Sequence, residues 1–131
     1  MNREVHFELT CEWALDEGYS REDAEAIADA NWACDGIHTR PIADKRYHFA
    51  LAGAPVVAWR RYRRAVRERD LTALGEALHA LQDTIGHGVL GNFYHWQGID
   101  RLENRSPGLR ARLETWSKRV LRAYREKVRL G

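Results

Sequence analysis

Residues 78–88 read LHALQDTIGHG and combine two helical patterns. The apolar side chains have the spacing of a buried helix face: Leu78, Leu81 and Ile85. His79, Asp83 and His87 follow one another in steps of four residues and fan over about 80° of a neighbouring face. The sequence therefore predicts a helix that carries two imidazoles and a carboxylate beside its own apolar stripe.

Helical periodicity extends over most of the chain, and no segment has the alternation typical of a strand. The predicted helices begin at or just after these positions: Val5, Ser20, Lys45, Asp70 or Thr72, and the pair Ser106-Pro107. Tryptophans are expected on the inward faces of the third and fifth helices: Trp59 and Trp116. The pattern predicts an all-α fold, with residues 1–131 forming a single helical metal-binding domain, a compact bundle of about five helices with a metal site between helices.

Composition indicates a globular protein of one domain. The chain has 131 residues, of which 44% are hydrophobic and 31% charged, and its formal net charge is +2. No stretch is long and apolar enough to cross a bilayer, and no signal segment opens the chain, so we expect a cytoplasmic protein or one whose targeting segment was removed. Cys11 and Cys34 are too few for a disulfide framework and are expected to be small core residues.

Charge is unevenly distributed along the chain. Residues 1–35 carry ten acidic and two basic side chains, whereas residues 105–131 carry nine basic and two acidic ones. A second basic run, RRYRRAVRER, covers residues 60–69. Such asymmetry indicates an anionic partner, oppositely charged helices packed side by side, or a solvated face. We favour the last two, since no nucleic-acid motif accompanies the charge.

Several ionisable side chains are predicted to lie next to apolar stripes. Asp35 extends the inner edge of the second helix, and His6 and His48 adjoin the stripes of the first and third. Burying such groups is costly unless each is paired or bound to a cation, and a metal ion satisfies carboxylate and neutral imidazole directly. The predicted metal ligands are His6, Asp35, His48, His79, Asp83 and His87. The expected metal is one or two zinc ions, with manganese or iron as the alternatives.

A family resemblance joins these residues in one order along the chain. The segment HALQDTIGH resembles the His-x3-Asp…His segment of the zinc-dependent phospholipase C and single-strand nuclease superfamily, and the likeness includes VHFELTCEWAL, AEAIADANWACD and RYHFAL. The chain looks most like the small uncharacterised bacterial relatives of that superfamily. Its members are all-helical enzymes with up to three zinc ions. The resemblance implies one metal held by the following residues: Asp35, His48, His79 and Asp83. It further implies that Asp83 bridges to a second metal near His6 and that His87 begins a third site.

This chain departs from the pattern of those enzymes after the last histidine. They continue with a His-x3-Glu/Asp pair, but the fourth residue after His95 is Ile99, and Asp100 lies one step further on. They also use the backbone of a processed N-terminal residue as a ligand, whereas this sequence starts at Met1. The chain is about half their usual length. We therefore expect one or two metals and a reduced substrate cleft.

The resemblance implies a metal-dependent hydrolase that cleaves a phosphoester or phosphodiester with metal-activated water. The predicted catalytic residues are Asp35, Asp83 and His95. His95 lies in the aromatic segment GNFYHWQG, which either completes the site or only packs against one end of the bundle. Asn31, one turn before Asp35, is interpreted as a helix-packing amide rather than a residue that orients Asp35. The expected partner is a small phosphorylated or otherwise anionic substrate, and nucleic acid is less favoured.

Two other function classes fit the same pattern. The first is a di-metal oxidase, lyase or amide hydrolase that uses iron or manganese on the same helical site. The second is a non-catalytic module that a metal stabilises and that binds a partner through its basic helices.

Overall fold

The structure is a computed structural model that describes residues 3–36, 54–87 and 108–130. The helices within these ranges are a π-helical segment (Glu4–Leu9) that runs directly into α1 (Thr10–Asp16), then α2 (Arg21–Gly36), α3 (Ala54–Glu68), α4 (Leu71–His87) and α5 (Leu109–Leu130). These ranges contain no strand, and none of their helices has the length and hydropathy needed to cross a membrane. The prediction of an all-α bundle of about five helices is confirmed, with the π-helical segment and α1 counted as one helix.

Helix α4 lies at the centre of the bundle. It contacts α2, α3, α5 and the π-helical segment. The largest buried apolar side chains come from α1, α2, α4 and α5: Trp13, Ile27, Leu74, Leu78, Leu113 and Leu121. Burial of this apolar surface is the main force that holds the helices together.

Gly75 brings α4 unusually close to α2. A Cβ atom built on Gly75 would lie 2.5 Å from the carbonyl oxygen of Ile27, 2.7 Å from Cβ of Ala30 and 3.0 Å from the backbone nitrogen of Asn31. Two of these three atoms belong to the backbone of α2, which cannot move aside as a flexible side chain can. The absence of a side chain at Gly75 therefore sets the distance between the two helices.

Side-chain hydrogen bonds cap the N-termini of α2 and α4, and they test two of the predicted helix starts. Ser20 Oγ accepts a hydrogen bond from the backbone N–H of Asp23 at 3.1 Å, which confirms Ser20 as the N-cap of α2. Asp70 Oδ1 accepts from the N–H groups of Thr72 and Ala73 at 2.9 and 3.2 Å, so Asp70 rather than Thr72 caps α4. The predicted starts near Lys45 and at Ser106-Pro107 lie outside the described residues.

The acidic N-terminal part and the basic α5 pair with each other. Arg122 Nε lies 2.7 Å from Glu17 Oε1, and Lys118 Nζ lies 3.1 Å from Asp16 Oδ2. Arg125 also donates to the carbonyl oxygen of Glu17. The charge asymmetry of the sequence thus serves, at least in these residues, to join α1 and α5. Such exposed pairs contribute little each to stability.

The expectation of inward-facing tryptophans is wrong for both the third and the fifth helix. Trp116 is 46% exposed and Trp59 is 56% exposed, whereas Ser117 and Leu121 are fully buried. Helix α5 is therefore rotated so that Leu113, Ser117 and Leu121 face the core. The two tryptophans instead line a groove of about 470 Å³ between α3, α4 and α5.

We predict that Gly75→Ala destabilises the protein, although alanine has the higher intrinsic helix propensity by about 1 kcal/mol. The new Cβ would meet backbone atoms of α2, and overpacking of this kind costs about 1–3 kcal/mol. Urea denaturation measures the effect. The exposed Thr72→Ala on the same helix is the control and should change stability by less than about 0.5 kcal/mol. If Gly75→Ala were as stable as the parent, α2 and α4 would be able to move apart and accommodate the new methyl group without a loss of stability.

Candidate metal centre

Three of the predicted ligands meet in one buried cluster. His6 comes from the π-helical segment, and His79 and Asp83 come from α4 one turn apart. Their side chains offer ligand atoms that all lie within 4.8 Å of one another. The exposed fractions of the three residues are 0%, 1% and 6%. Two imidazoles and a carboxylate in this arrangement could hold a metal ion.

The carboxylate of Asp83 lies between the two imidazoles. His79 Nε2 is 3.1 Å from Asp83 Oδ2, and His6 Nε2 is 3.3 Å from Asp83 Oδ1. The two imidazole ring centroids are 4.3 Å apart and the ring planes are inclined by 34°. Each histidine therefore directs the same type of nitrogen, Nε2, toward one oxygen of the same carboxylate.

Burial and mutual charge shift the pKa values of the cluster. Burial, together with the positive charge at His79, lowers the pKa of His6 to about 3, so its ring is neutral near pH 7. Burial by itself would raise the pKa of Asp83. The interaction with His79 outweighs that effect and holds the pKa of Asp83 well below its usual range. Asp83 is thus an anion, the form in which a carboxylate binds a cation.

A layer of neutral polar side chains lies behind His6. Gln82 Oε1 is 2.9 Å from His6 Nδ1 and accepts a hydrogen bond from Asn31 Nδ2, also at 2.9 Å. Gln82 Nε2 donates to Thr10 Oγ1 at 2.9 Å and to Ser117 Oγ at 3.1 Å. Thr10 Oγ1 in turn donates to the carbonyl oxygen of Val5 at 2.7 Å. All four side chains of this layer, which we call the amide layer, are fully buried: Thr10, Asn31, Gln82 and Ser117.

The other predicted site residues belong to parts of the chain for which no side chain is described. Asp35 lies in α2 and His87 is the last residue of α4, but the side chains of both are outside the described residues. His48, His95 and Asp100 are wholly outside them. The cluster of His6, His79 and Asp83 is therefore the described part of the predicted site.

Gln82, Thr10 and Ser117 are not among the residues that the sequence predicts for the site. They could have been predicted as polar residues at positions where the helical pattern places a core-facing apolar side chain. Gln82 lies one turn after the buried Leu78, and Ser117 lies one turn after the buried Leu113. Asn31 was interpreted as a helix-packing amide, and its hydrogen bonds from α2 to Thr10 and Gln82 confirm this.

The groove between α3, α4 and α5 is separate from the cluster. Helix α4 contributes Ala77, Leu81 and Thr84 to the groove, and these residues lie on a different face from His79 and Asp83. The residues that α4 contributes to this groove are mostly apolar, and none of them supplies a further metal ligand to the cluster.

Comparison with known proteins adds no family assignment. No family model, curated protein or solved structure matches this chain. The resemblance to the phospholipase C and nuclease superfamily stays a prediction that rests on the residues quoted for it. The geometry of the cluster of His6, His79 and Asp83 is therefore the main observation on which a proposal of function can rest.

In metal-free protein, we predict that the pKa of His6 makes stability depend on pH. The folded-state value of about 3 lies below the ordinary 6.5, so between these values the unfolded chain binds a proton that the folded chain does not. The stability that neutral His6 contributes is complete above pH 6.5 and is lost as the pH falls toward 3, with a limiting slope of about 1.4 kcal/mol per pH unit.

Urea denaturation of chelator-treated protein between about pH 6.5 and 4.5 measures this slope. Glutamine does not titrate in this pH range. In His6→Gln, the change in the free energy of unfolding with pH should therefore be smaller by the part that the proton of His6 contributes. Equal slopes for the two proteins would contradict the pKa assigned to His6.

Proposed function

We propose that this chain is a metal-dependent hydrolase whose described ligands are His6, His79 and Asp83. The observation that carries the proposal is the convergence of these three donors, from two different helical segments, within 4.8 Å. A buried carboxylate with two imidazoles is costly in a helical bundle unless a cation or proton compensates the charge. A divalent cation bound by all three side chains supplies that compensation.

Zinc is the metal that this donor set favours. Two neutral imidazole nitrogens and one carboxylate oxygen are the ligand types of catalytic zinc sites, which leave a fourth position for water. Manganese and iron accept the same donors and are the alternatives. A single carboxylate lies between both histidines, which favours one ion among the described ligands. A second ion would need donors from the predicted residues that lie outside the described ranges, such as Asp35 and His48.

The proposed reaction is hydrolysis of a phosphoester or phosphodiester in a small anionic substrate. A metal held by His6, His79 and Asp83 would supply the nucleophile, because it would lower the pKa of a bound water toward neutral pH. His6 and His79 hold their nitrogens toward Asp83, and the interaction with His79 favours the charged form of Asp83. The choice of a phosphoester over other electrophiles is supported by the resemblance of HALQDTIGH to the phospholipase C and nuclease superfamily.

One observation favours a second candidate, a non-catalytic module stabilised by metal. The three ligands are exposed by only 0%, 1% and 6%, and structural zinc sites are closed to solvent. If side chains outside the described ranges complete a fourth protein ligand, the ion would stabilise the fold and take no water. Exchange of the metal separates the candidates, because a structural ion leaves only on unfolding, whereas a catalytic ion exchanges in the folded protein.

We predict that Asp83→Asn abolishes metal binding and hydrolysis. Asparagine keeps the size of the side chain but removes the negative charge that faces both histidines. Loss of an outer partner of a metal ligand typically costs about 10–100-fold, so loss of this ligand should lower the rate by more than about 100-fold. Elemental analysis of untagged protein and turnover of bis-p-nitrophenyl phosphate are the two measurements.

The matched control is Asp29→Asn, an exposed aspartate on α2. It should keep both the metal content and the turnover of the parent. Metal content that is unchanged in Asp83→Asn would remove the proposed centre. Full metal loading of the parent with no turnover of any phosphoester would instead favour the non-catalytic module.

A further inference from the structure

We propose that Gln82 is a positioning residue of the metal centre: its side-chain oxygen holds the proton of His6 on Nδ1 and thereby directs the Nε2 lone pair toward Asp83. The inference rests on the proposed function and extends it to the amide layer behind His6. It follows from the directions of six hydrogen bonds that join Thr10, Asn31, Gln82 and their neighbours.

The hydroxyl group of Thr10 fixes the first directions. A carbonyl oxygen only accepts hydrogen bonds, so the 2.7 Å contact between Thr10 Oγ1 and the oxygen of Val5 uses the single proton of the hydroxyl. Thr10 Oγ1 must then accept from the two amides that approach it, Gln82 at 2.9 Å and Asn31 at 3.3 Å. Both amides therefore present their NH₂ groups to Thr10.

The orientation of the Gln82 amide follows from this constraint. Its nitrogen faces Thr10 and also Ser117, so its oxygen faces the opposite way. The oxygen accepts from Asn31 Nδ2 at 2.9 Å and lies 2.9 Å from His6 Nδ1. Because an amide oxygen has no proton to give, His6 Nδ1 must be the donor.

A proton on Nδ1 makes Nε2 the ligand atom of His6. A neutral imidazole carries one N–H, so its lone pair lies on the other nitrogen, and here that nitrogen is 3.3 Å from Asp83 Oδ1. A lone pair and a carboxylate oxygen that face each other are both acceptors, and a cation between them satisfies both. Gln82 thus selects the tautomer in which His6 presents the same nitrogen that His79 presents to Asp83.

The burial of the amide layer supports a role beyond stability. Thr10, Asn31, Gln82 and Ser117 have no exposed surface, and apolar residues of the same shape would be nearly as stable at such positions. A buried hydrogen-bond network instead orients its members, and Gln82 has partners at both its amide nitrogen and its amide oxygen. Ligating histidines elsewhere also depend on a hydrogen bond at their second nitrogen.

The test compares Zn²⁺ affinity in the parent, Gln82→Met and Ser117→Ala, by competition with a chromophoric chelator. Methionine keeps the length of Gln82 but removes the oxygen that accepts from His6, and we expect affinity to fall about 10–100-fold. Ser117→Ala is the matched control: it removes one bond of the amide layer but leaves the contact of Gln82 with His6, so its loss should be smaller. Equal affinities in the parent and Gln82→Met would overturn the inference.

A second measurement does not depend on metal. Nitrogen-15 NMR of the metal-free protein reports which ring nitrogen of His6 carries the proton, with His6→Gln used to assign the signals. We expect the proton on Nδ1 in the parent and its redistribution in Gln82→Met. A parent ring with its proton on Nε2 would overturn the inference whether or not any variant folds.

The two measurements also separate the inference from the proposed function. If the parent binds no Zn²⁺ but shows the Nδ1 proton, and Gln82→Met loses it, the metal centre is wrong and only the selection of the His6 tautomer by Gln82 stands. If Zn²⁺ binds equally well to both proteins and the tautomer is unchanged, the metal centre stands and the positioning role is wrong.

Discussion

The contact between α2 and α4 at Gly75 holds the site in place, because it fixes how close the two helices come. The backbone nitrogen of Asn31 lies directly over this glycine, and the side chain of Asn31 then reaches Gln82 seven residues further along α4. Gln82 is next to Asp83 in sequence and touches His6 in space. A packing constraint between two backbones thus determines where the amide layer and the three ligands lie.

Charge compensation explains why such a cluster is compatible with a bundle core. Without metal, the interaction with His79 lowers the pKa of Asp83, and burial lowers the pKa of His6, so His6 is neutral near pH 7. A bound cation would compensate the charge of Asp83 directly, with neutral imidazoles as its other ligands. The same three side chains can therefore offset the buried carboxylate in both cases.

The sequence predicted the parts of the structure that depend on periodicity and short-range spacing. The helical class, the caps at Ser20 and Asp70, and the pairing of His79 with Asp83 follow from local patterns. The rotation of α5 was not predictable in this way, because Trp116 and Ser117 continue two overlapping stripes and only tertiary packing decides between them. Gln82 was missed since a lone amide in a helix usually faces solvent.

The π-helical segment Glu4–Leu9 has a consequence for how the site tolerates change in length. A π-helical turn contains one residue more than an α-helical turn, so the chain before α1 is rotated by about 100° relative to a continuous α-helix. Deleting a single residue there would restore regular winding and turn His6 away from Asp83, while α1 kept its own packing through Trp13 and Ala14. The same rotation would also take the fully buried Val5 out of the core, so the position of His6 and the packing of this segment depend on one extra residue.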